Sequence, residues 1–325
     1  MNTKTNELHL IFGTGPLGKA VMRELVKQGK RVRMVNRSGK ASVSAGVEVV
    51  KGDATDSANT KGLCREASVI YQCSQPAYNQ WPALFPRYQT AILEGAAFAN
   101  ARLVLAENLY MYGRVSGPIR EDLPYTATTR KGEVRARMAE EWMTAHEAGK
   151  VQATAGRASD FYGPEAGEQG AFGDRVIYPL LAGKKVSGLG NIDLPHTYTY
   201  IDDFGKGLVI LGAKQEALGQ AWHIPNAPTL TTRQMVTLFF EEAKLPPKIG
   251  AVPDLALKML GLVNPIVREV GEMLYEFKEP FVVDHRKFEQ AFGNIATPHS
   301  EAVRVTLQWF RAHNQDTAKS RLVTS

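Results

Sequence analysis

The feature that most constrains the fold lies near the start of the chain. Largely apolar residues 8–12 run directly into Gly13-Thr14-Gly15-Pro16-Leu17-Gly18, and residues 16–28 place Leu17, Ala20, Val21, Leu25 and Val26 on one helical face. The pattern reads as a short buried parallel strand, a glycine turn and a helix. Gly13 permits a turn that a side chain would obstruct, Gly15 lets the backbone approach a pyrophosphate, and Gly18 lets the helix pack closely on the strand. The first N–H groups and the positive dipole end of the helix suit an anion, so the run implies dinucleotide binding.

A second strand over residues 31–35 ends in Asn36-Arg37-Ser38, about twenty residues beyond the glycines. An Asp or Glu there would accept hydrogen bonds from ribose hydroxyls and repel a 2′-phosphate. Arg37 reverses that choice, because a guanidinium can pair bidentately with the phosphate and stack on adenine. The expected cofactor is therefore NADP(H); the competing reading is a solvated arginine in a surface loop.

The chain has 325 residues, enough for a large core and one big domain or two intimate ones. Its 44% hydrophobic and 22% charged content is ordinary for a soluble globular protein. No apolar stretch approaches ~20 residues and residues 1–7 lack a hydrophobic signal region, which gives a cytoplasmic expectation. Cys64 and Cys73 are the only cysteines, which argues against a disulfide framework, and no His/Cys/Asp/Glu spacing suggests a metal. The net charge of +6 is spread along the chain, so a nucleic-acid partner is not expected and a small-molecule substrate is.

Strands and helices alternate along the first half. Further strands are expected over residues 47–50, 68–72, 102–106 and 151–155, with helices over 91–99 and 130–148. This order implies an α/β fold of the Rossmann type: a doubly wound parallel sheet covered on both faces, with ligands at the carboxyl ends of its strands. Those ends carry Asp53 and Ala54, then Cys73-Ser74-Gln75, Asn108, and the run from Ser159 to Pro164. Beyond residue 163 Gly and Pro become frequent. A helix over about 204–213 and a strand over 220–225 follow, and residues 229–313 look mostly helical, ending in an amphipathic helix near Val303–Phe310. The expected division is a nucleotide-binding domain over 1–163, with 197–226 returning to it. A smaller, mostly helical substrate lobe over 164–325 would lie across the strand ends, with no flexible linker between lobes.

Several runs together resemble the short-chain dehydrogenase/reductase superfamily, in particular its extended branch of NAD-dependent epimerases and dehydratases. They are the glycine turn, Gly52-Asp53-Ala54-Thr55-Asp56, residues 109–113 and 118–124, Phe161-Tyr162-Gly163-Pro164, and Tyr200-Ile201-Asp202-Asp203, in that order over nearly the whole chain. The resemblance implies that Asp53 lies beside the adenine, that Cys73, Ser74 and Gln75 flank the cofactor riboses, and that Phe161, Tyr162 and Gly163 lie near the nicotinamide. It also implies dimerisation through helices flanking the fifth strand. Read without it, Asp53 is a turn former and Cys73 a buried small hydrophobe.

The chemistry departs from that pattern. Relatives carry a Ser or Thr after the fifth strand and Tyr-x-x-x-Lys at the next helix; here those positions hold Asn108, Lys131 and Arg135. Residues 131 and 135 share a helix face, so two cations would be aimed at the cofactor. Arg135 keeps a donor role toward ribose hydroxyls, and Asn108 can donate an N–H to a developing oxyanion. Burial, Arg135 and an oxidised nicotinamide each disfavour the ammonium form, so Lys131 can act as an acid. The bland reading is a solvated basic face, since Arg130 and Arg137 lie close by. Tyr110, Tyr112 and Tyr162 are alternative phenols, Tyr162 being the one that could donate to a carbonyl, and packing explains each of them as well. His196, with Tyr198, precedes the Tyr-Ile-Asp-Asp run, and no carboxylate partner for it is evident in the sequence. Trp81, Phe85, Met273, Tyr275 and Phe277 suit an apolar pocket or the core. The leading expectation is an NADP(H)-dependent oxidoreductase acting on a small or medium carbonyl, alcohol or conjugated substrate. The alternative is a catalytically silent NADP(H)-sensing regulator, and a third reading is a nucleotide-sugar epimerase or dehydratase.

Overall fold

The computed structural model describes residues 7–253 and 271–323, with side chains as far as residue 313. Residues 1–6 of the leader and 254–270 of the stretch expected to be helical lie outside the described residues. The chain forms two compact units: one contains the residues up to Ala158, Asp202–Pro225 and Asp284–Ile295, and the other contains Ser159–Ile201, Asn226–Val283 and the residues from Ala296 onward.

The first unit holds β1 (Leu8–Phe12), β2 (Arg31–Asn36), β3 (Glu48–Lys51), β4 (Ala67–Gln72), β5 (Arg102–Glu107), β6 (Gln152–Arg157) and a last strand, Ala221–His223. These form one seven-stranded sheet in the order last strand, β6, β5, β4, β1, β2, β3, and every pairing is parallel. The winding direction reverses between β1 and β4, and such a switch point opens a crevice at the carboxyl ends of the strands. β1 is buried on both faces, with successive side chains alternating between them. Leu10 and Phe12 join Ile92, Leu103, Val134 and Trp142 in one core layer, and Ile11 joins Val21, Leu25, Val104, Leu208 and Phe288 in the other.

Four helices bear on the site: α1 (Pro16–Lys27), α2 (Ser57–Cys64), α3 (Trp81–Ala99) and α4 (Arg130–Glu147). α3 starts ten residues before the expected 91. Pro82 sits in its first turn, where no intrahelical N–H is missed, and Pro86 lies one turn further on. The burial of Trp81, Phe85, Tyr88 and Ile92 outweighs the backbone bond that Pro86 removes. α4 is capped by Thr129, whose hydroxyl accepts from Gly132 N at 3.1 Å.

The second unit is built around Phe172, Ile177, Leu180, Tyr198, Phe239, Phe240, Leu307 and Phe310. Its helices include Asp174–Leu181, Thr232–Ala243 and His299–Val323, the middle one opened by a capping box between Thr231 and Gln234. Among the described residues three two-stranded pairs join them, Phe161–Tyr162 with Thr199–Tyr200 being one. Strands this short leave no periodic trace, and the sequence reading missed them. No helix among the described residues is long and apolar enough to cross a membrane.

Candidate functional site

The glycine turn has the geometry that its spacing predicts. Gly13 has φ +109°, and a Cβ there would stand 2.9 Å from Ser74 N, so only glycine lets β1 and the segment after β4 come together. A Cβ on Gly18 would lie 2.1 Å from the carbonyl oxygen of Gly13. At Gly15 a Cβ would meet nothing within 4 Å: its glycine leaves open space in front of the helix start. Gly15 is also the N-cap of α1, without a side-chain cap, and Pro16 follows at the first position. The N–H groups of the first turn therefore face that space, a ready anion site. Ser74 Oγ is buried beside the turn with no hydrogen-bond partner among the described residues. An uncapped helix start and an orphaned hydroxyl fit a dinucleotide pyrophosphate and its riboses.

The loop after β2, expected to face the adenine, is organised by Asn36. Its Nδ2 donates to Thr14 Oγ1 at 2.8 Å and to the Lys40 carbonyl at 2.9 Å, and its Oδ1 accepts from Ser38 Oγ at 3.0 Å and Gly39 N at 2.7 Å. One amide thus ties the loop after β2 to the glycine turn and holds exposed Arg37 at its edge. Asp53 Oδ1 accepts from Thr55 N at 2.9 Å and Thr55 Oγ1 at 2.8 Å, so the residue does form the turn that its bland reading predicts. Those bonds, and then the charges of Arg37 and Arg87, hold its carboxyl below the usual range. Arg87, from α3, is a second cation on this side that the sequence reading passed over. Ala54 is buried in the core beside Asp53. Cys73, half-buried, donates its N–H to the Phe12 carbonyl, and burial pushes its thiol up.

The two cations of α4 part company. Lys131 is 1% exposed and Arg135 2%, whereas Arg130 and Arg137 are exposed, so the solvated-face reading fails for the inner pair. Lys131 Nζ stands 4.4 Å above the Tyr78 ring, and Tyr78, Trp81 and Tyr110 are packed together there, with the Tyr78 hydroxyl donating to that of Tyr110 at 3.2 Å. Arg135 instead places Nη2 3.4 Å from Glu107 Oε1 and its guanidinium over Phe85. Its guanidinium thus engages a carboxylate buried at the end of β5, a partner additional to the ribose contact expected of it. Asn108 accepts from Tyr110 N at 3.3 Å through Oδ1, leaving its amide N–H groups as donors at the strand end.

Behind this face lies a network that sequence reasoning missed. Glu107 and Arg157 are partners in the register of β5 and β6, and Arg157 Nε donates to Glu107 Oε2 at 2.9 Å with both side chains 0% exposed. Arg157 also donates to the hydroxyls of Tyr112 and Tyr125. The Tyr112 hydroxyl lies 3.0 Å from His223 Nε2, and His223 Nδ1 donates to the Asp284 carbonyl at 2.9 Å. Burial, then the Arg157 charge, push the His223 imidazole down to about 3. Tyr112 is thus committed beneath the site. The usable signal was a Glu and an Arg one and two residues past the ends of two adjacent predicted strands. A cavity of about 500 Å³ opens near this network, lined by Glu121, Tyr125, Asp284 and Lys287, and holds none of the expected site residues.

The remaining expectations fall in the second unit. Phe161 is half-buried in its short strand. Tyr162 is 1% exposed, packed on Phe172, Tyr200 and Phe239, with its hydroxyl 3.4 Å from His299 Nδ1. Its ring is packed in the core of the second unit, as the packing alternative for this residue anticipates. His196 does have a carboxylate partner: its Nε2 lies 2.9 Å from Asp160 Oδ2.

A comparison with curated protein sequences finds no match. Among solved structures, an epimerase from the thermophilic methanogen Methanothermobacter thermautotrophicus is 16% identical, with 98% of this chain and 96% of that chain covered at a TM-score of 0.81. UDP-glucuronic acid 4-epimerase from Bacillus cereus, in complex with NAD, is 14% identical over 95% of this chain and 98% of that one, TM-score 0.76. UDP-glucose 4-epimerase from Thermus thermophilus, also with NAD, is 17% identical over 94% and 99%, TM-score 0.73. At such identities these likenesses establish the fold, the Rossmann-type sheet included. Residues 10–224 also match the family described as NAD dependent epimerase/dehydratase, a span that carries the glycine turn, Arg37, Asn108 and α4. The chain belongs to the NAD-dependent epimerase/dehydratase family.

Proposed function

We propose that the chain is a nicotinamide-dinucleotide enzyme working at a carbon that bears a hydroxyl or carbonyl group, with epimerisation or dehydration of a nucleotide sugar as its reaction. The family match over residues 10–224 carries this reading, and it displaces the oxidoreductase expectation from first place. The similarity of the whole chain to solved epimerases, two of them 4-epimerases, supports it. The bound nicotinamide would supply a hydride acceptor and donor. The N–H groups after Gly15 would hold the pyrophosphate, and Asn108 would donate to the substrate oxygen as charge develops there. Lys131, held over Tyr78, would stabilise that charge or give up a proton.

A second reading, net reduction or oxidation with NADP(H), is favoured by Arg37 and Arg87, whose charges both act on Asp53, cations suited to a 2′-phosphate. Nucleotide released from the purified protein should be identified by chromatography. The protein should then be incubated with UDP-glucose, UDP-N-acetylglucosamine and UDP-glucuronic acid without added cofactor. A new sugar epimer or a dehydrated product in the proton NMR spectrum supports the first reading. Stoichiometric NADPH consumption on a carbonyl panel moves the second to the front, and tight nucleotide binding without any turnover overturns both. In whichever assay turns over, Lys131→Met should lower kcat by about 100-fold or more while nucleotide affinity stays within twofold; unchanged kcat removes Lys131 from the chemistry.

A further inference from the structure

The cavity at the outer edge of the seven-stranded sheet is lined by residues of the first unit alone, and neither the glycine turn nor Lys131 and Arg135 belong to it. One wall is the last strand, and β6, β5 and β4 stand between that strand and β1. At about 4.8 Å per strand the separation from β1 is roughly 19 Å, so this is not the dinucleotide crevice. Its volume of about 500 Å³ lies within the usual range of small-molecule sites, about 300–1,000 Å³.

Two ionisable side chains cover this edge of the sheet. The Gln220 carbonyl and the Ile224 N–H bond to β6, so by alternation the main-chain groups of Ala221 and His223 turn outward. Lys287 Nζ donates to the Ala221 carbonyl at 2.9 Å, and Glu121 Oε1 accepts from His223 N at 2.8 Å. Both partners are neutral main-chain groups. Among the described residues Lys287 forms no ion pair, although its Nζ lies 4.2 Å over the Trp222 ring. The imidazole 3.9 Å from Glu121 Oε2 is that of His223, which burial keeps neutral. Burial accordingly pushes Lys287 down and Glu121 up, as it does for charges short of partners. The rim cancels itself: Arg120 pairs with Asp122 at 3.0 Å, and Arg286 with Asp284.

These charges select a ligand. The lining holds three basic and three acidic side chains, zero in sum. An added anion would satisfy Lys287 but stand against Glu121 and Asp284, and an added cation would satisfy Glu121 but stand against Lys287. A molecule carrying one carboxylate and one ammonium group satisfies both and leaves the sum at zero. The main-chain anchors of Lys287 and Glu121 are two residues apart, under about 7 Å along a strand, within reach of the two ends of one small molecule. Tyr125 and Met143 add apolar surface for its side chain. We propose that this cavity binds a free α-amino acid as its zwitterion, the ligand carboxylate accepting from Lys287 and the ligand ammonium donating to Glu121. The site is independent of the reaction at the dinucleotide crevice.

Saturation-transfer NMR and thermal melts of the full chain, run with each standard L-amino acid in turn, test this directly. At least one should bind with a Kd of about 1 mM or tighter and raise the melting temperature. The N-acetyl and amide derivatives of that amino acid keep its side chain and lose one charge each, and both should bind about tenfold more weakly or worse. Lys287→Met and Glu121→Gln should each weaken binding by a similar factor. Because those two residues also hold the sheet edge, Gln290→Trp, at an exposed position of the wall, blocks the cavity with that edge intact. It should abolish binding and leave the melting temperature of the free protein unchanged. No saturable binding of any amino acid below about 10 mM overturns the proposal, as does binding that Gln290→Trp leaves intact. Equal affinity for the N-acetyl or the amide derivative overturns the zwitterion assignment.

Discussion

The glycine turn and the inner face of α4 lie in the same unit and were both expected to face the cofactor, yet they are held by different kinds of force. The turn is a backbone device: Gly13 and Gly18 touch main-chain atoms, so their identities follow from local geometry. The α4 face is decided by what stands opposite it, aromatic rings for Lys131 and a buried carboxylate for Arg135. The Gly18 constraint lies within six residues of sequence and Gly13 is marked by its own positive φ, although its neighbour Ser74 is distant, whereas the partners of Lys131 and Arg135 come from other strands and helices. The turn is accordingly readable and the α4 face is not.

The sharpest break of that contrast is Glu107→Ala. It leaves Arg157 and Arg135 buried with no carboxylate between them, and unfolding in urea should show a loss of about 3–5 kcal/mol. A loss below about 1 kcal/mol would mean that water reaches the guanidiniums and that the α4 face is held by packing alone. Next come the glycines themselves. Gly18→Ala forces a Cβ onto the Gly13 carbonyl and should cost about 1–3 kcal/mol of stability together with nucleotide affinity. Gly15→Ala projects into open space, so titration calorimetry should find lost nucleotide affinity at unchanged melting temperature. Equal loss of stability in the two variants would erase the distinction between a packing glycine and a ligand-facing one.

The smallest effect is acid sensitivity in the first unit. Burial lowers His9 to about 4 and His223 to about 3, from 6.5 in the unfolded chain. Folding therefore favours their neutral forms: the contribution is complete above pH 6.5 and is lost as pH falls from there toward the folded values. At pH 5.5 each should cost about 1 kcal/mol relative to pH 7.5, read from the urea midpoint. His223→Gln should flatten its share of that slope, and an unchanged slope would place proton uptake elsewhere.

How far the chain was legible follows the same division. Strands β1 to β6 lie within one or two residues of their expected positions, because apolar runs between turn residues are local patterns. The start of α3 was missed because Pro82 and Pro86 argue locally against a helix that Trp81 and Phe85 stabilise by burial. Asp53 was legible as a turn former, and it is held by Thr55 while lying within the fields of Arg37 and Arg87. Glu107 with Arg157, and Asp160 with His196, stayed hidden because 50 and 36 residues separate the partners.

Taken alone, the sequence determined the parallel α/β fold, the dinucleotide turn and the family, since each rests on short-range spacing and on glycine's backbone freedom. Only the tertiary structure decided what each titratable side chain faces. Arg135 went to Glu107, Lys131 to the Tyr78 ring, and Asp160 to His196. Charge and proton placement depend on distance in space and on exclusion from water, and neither is written in the order of residues.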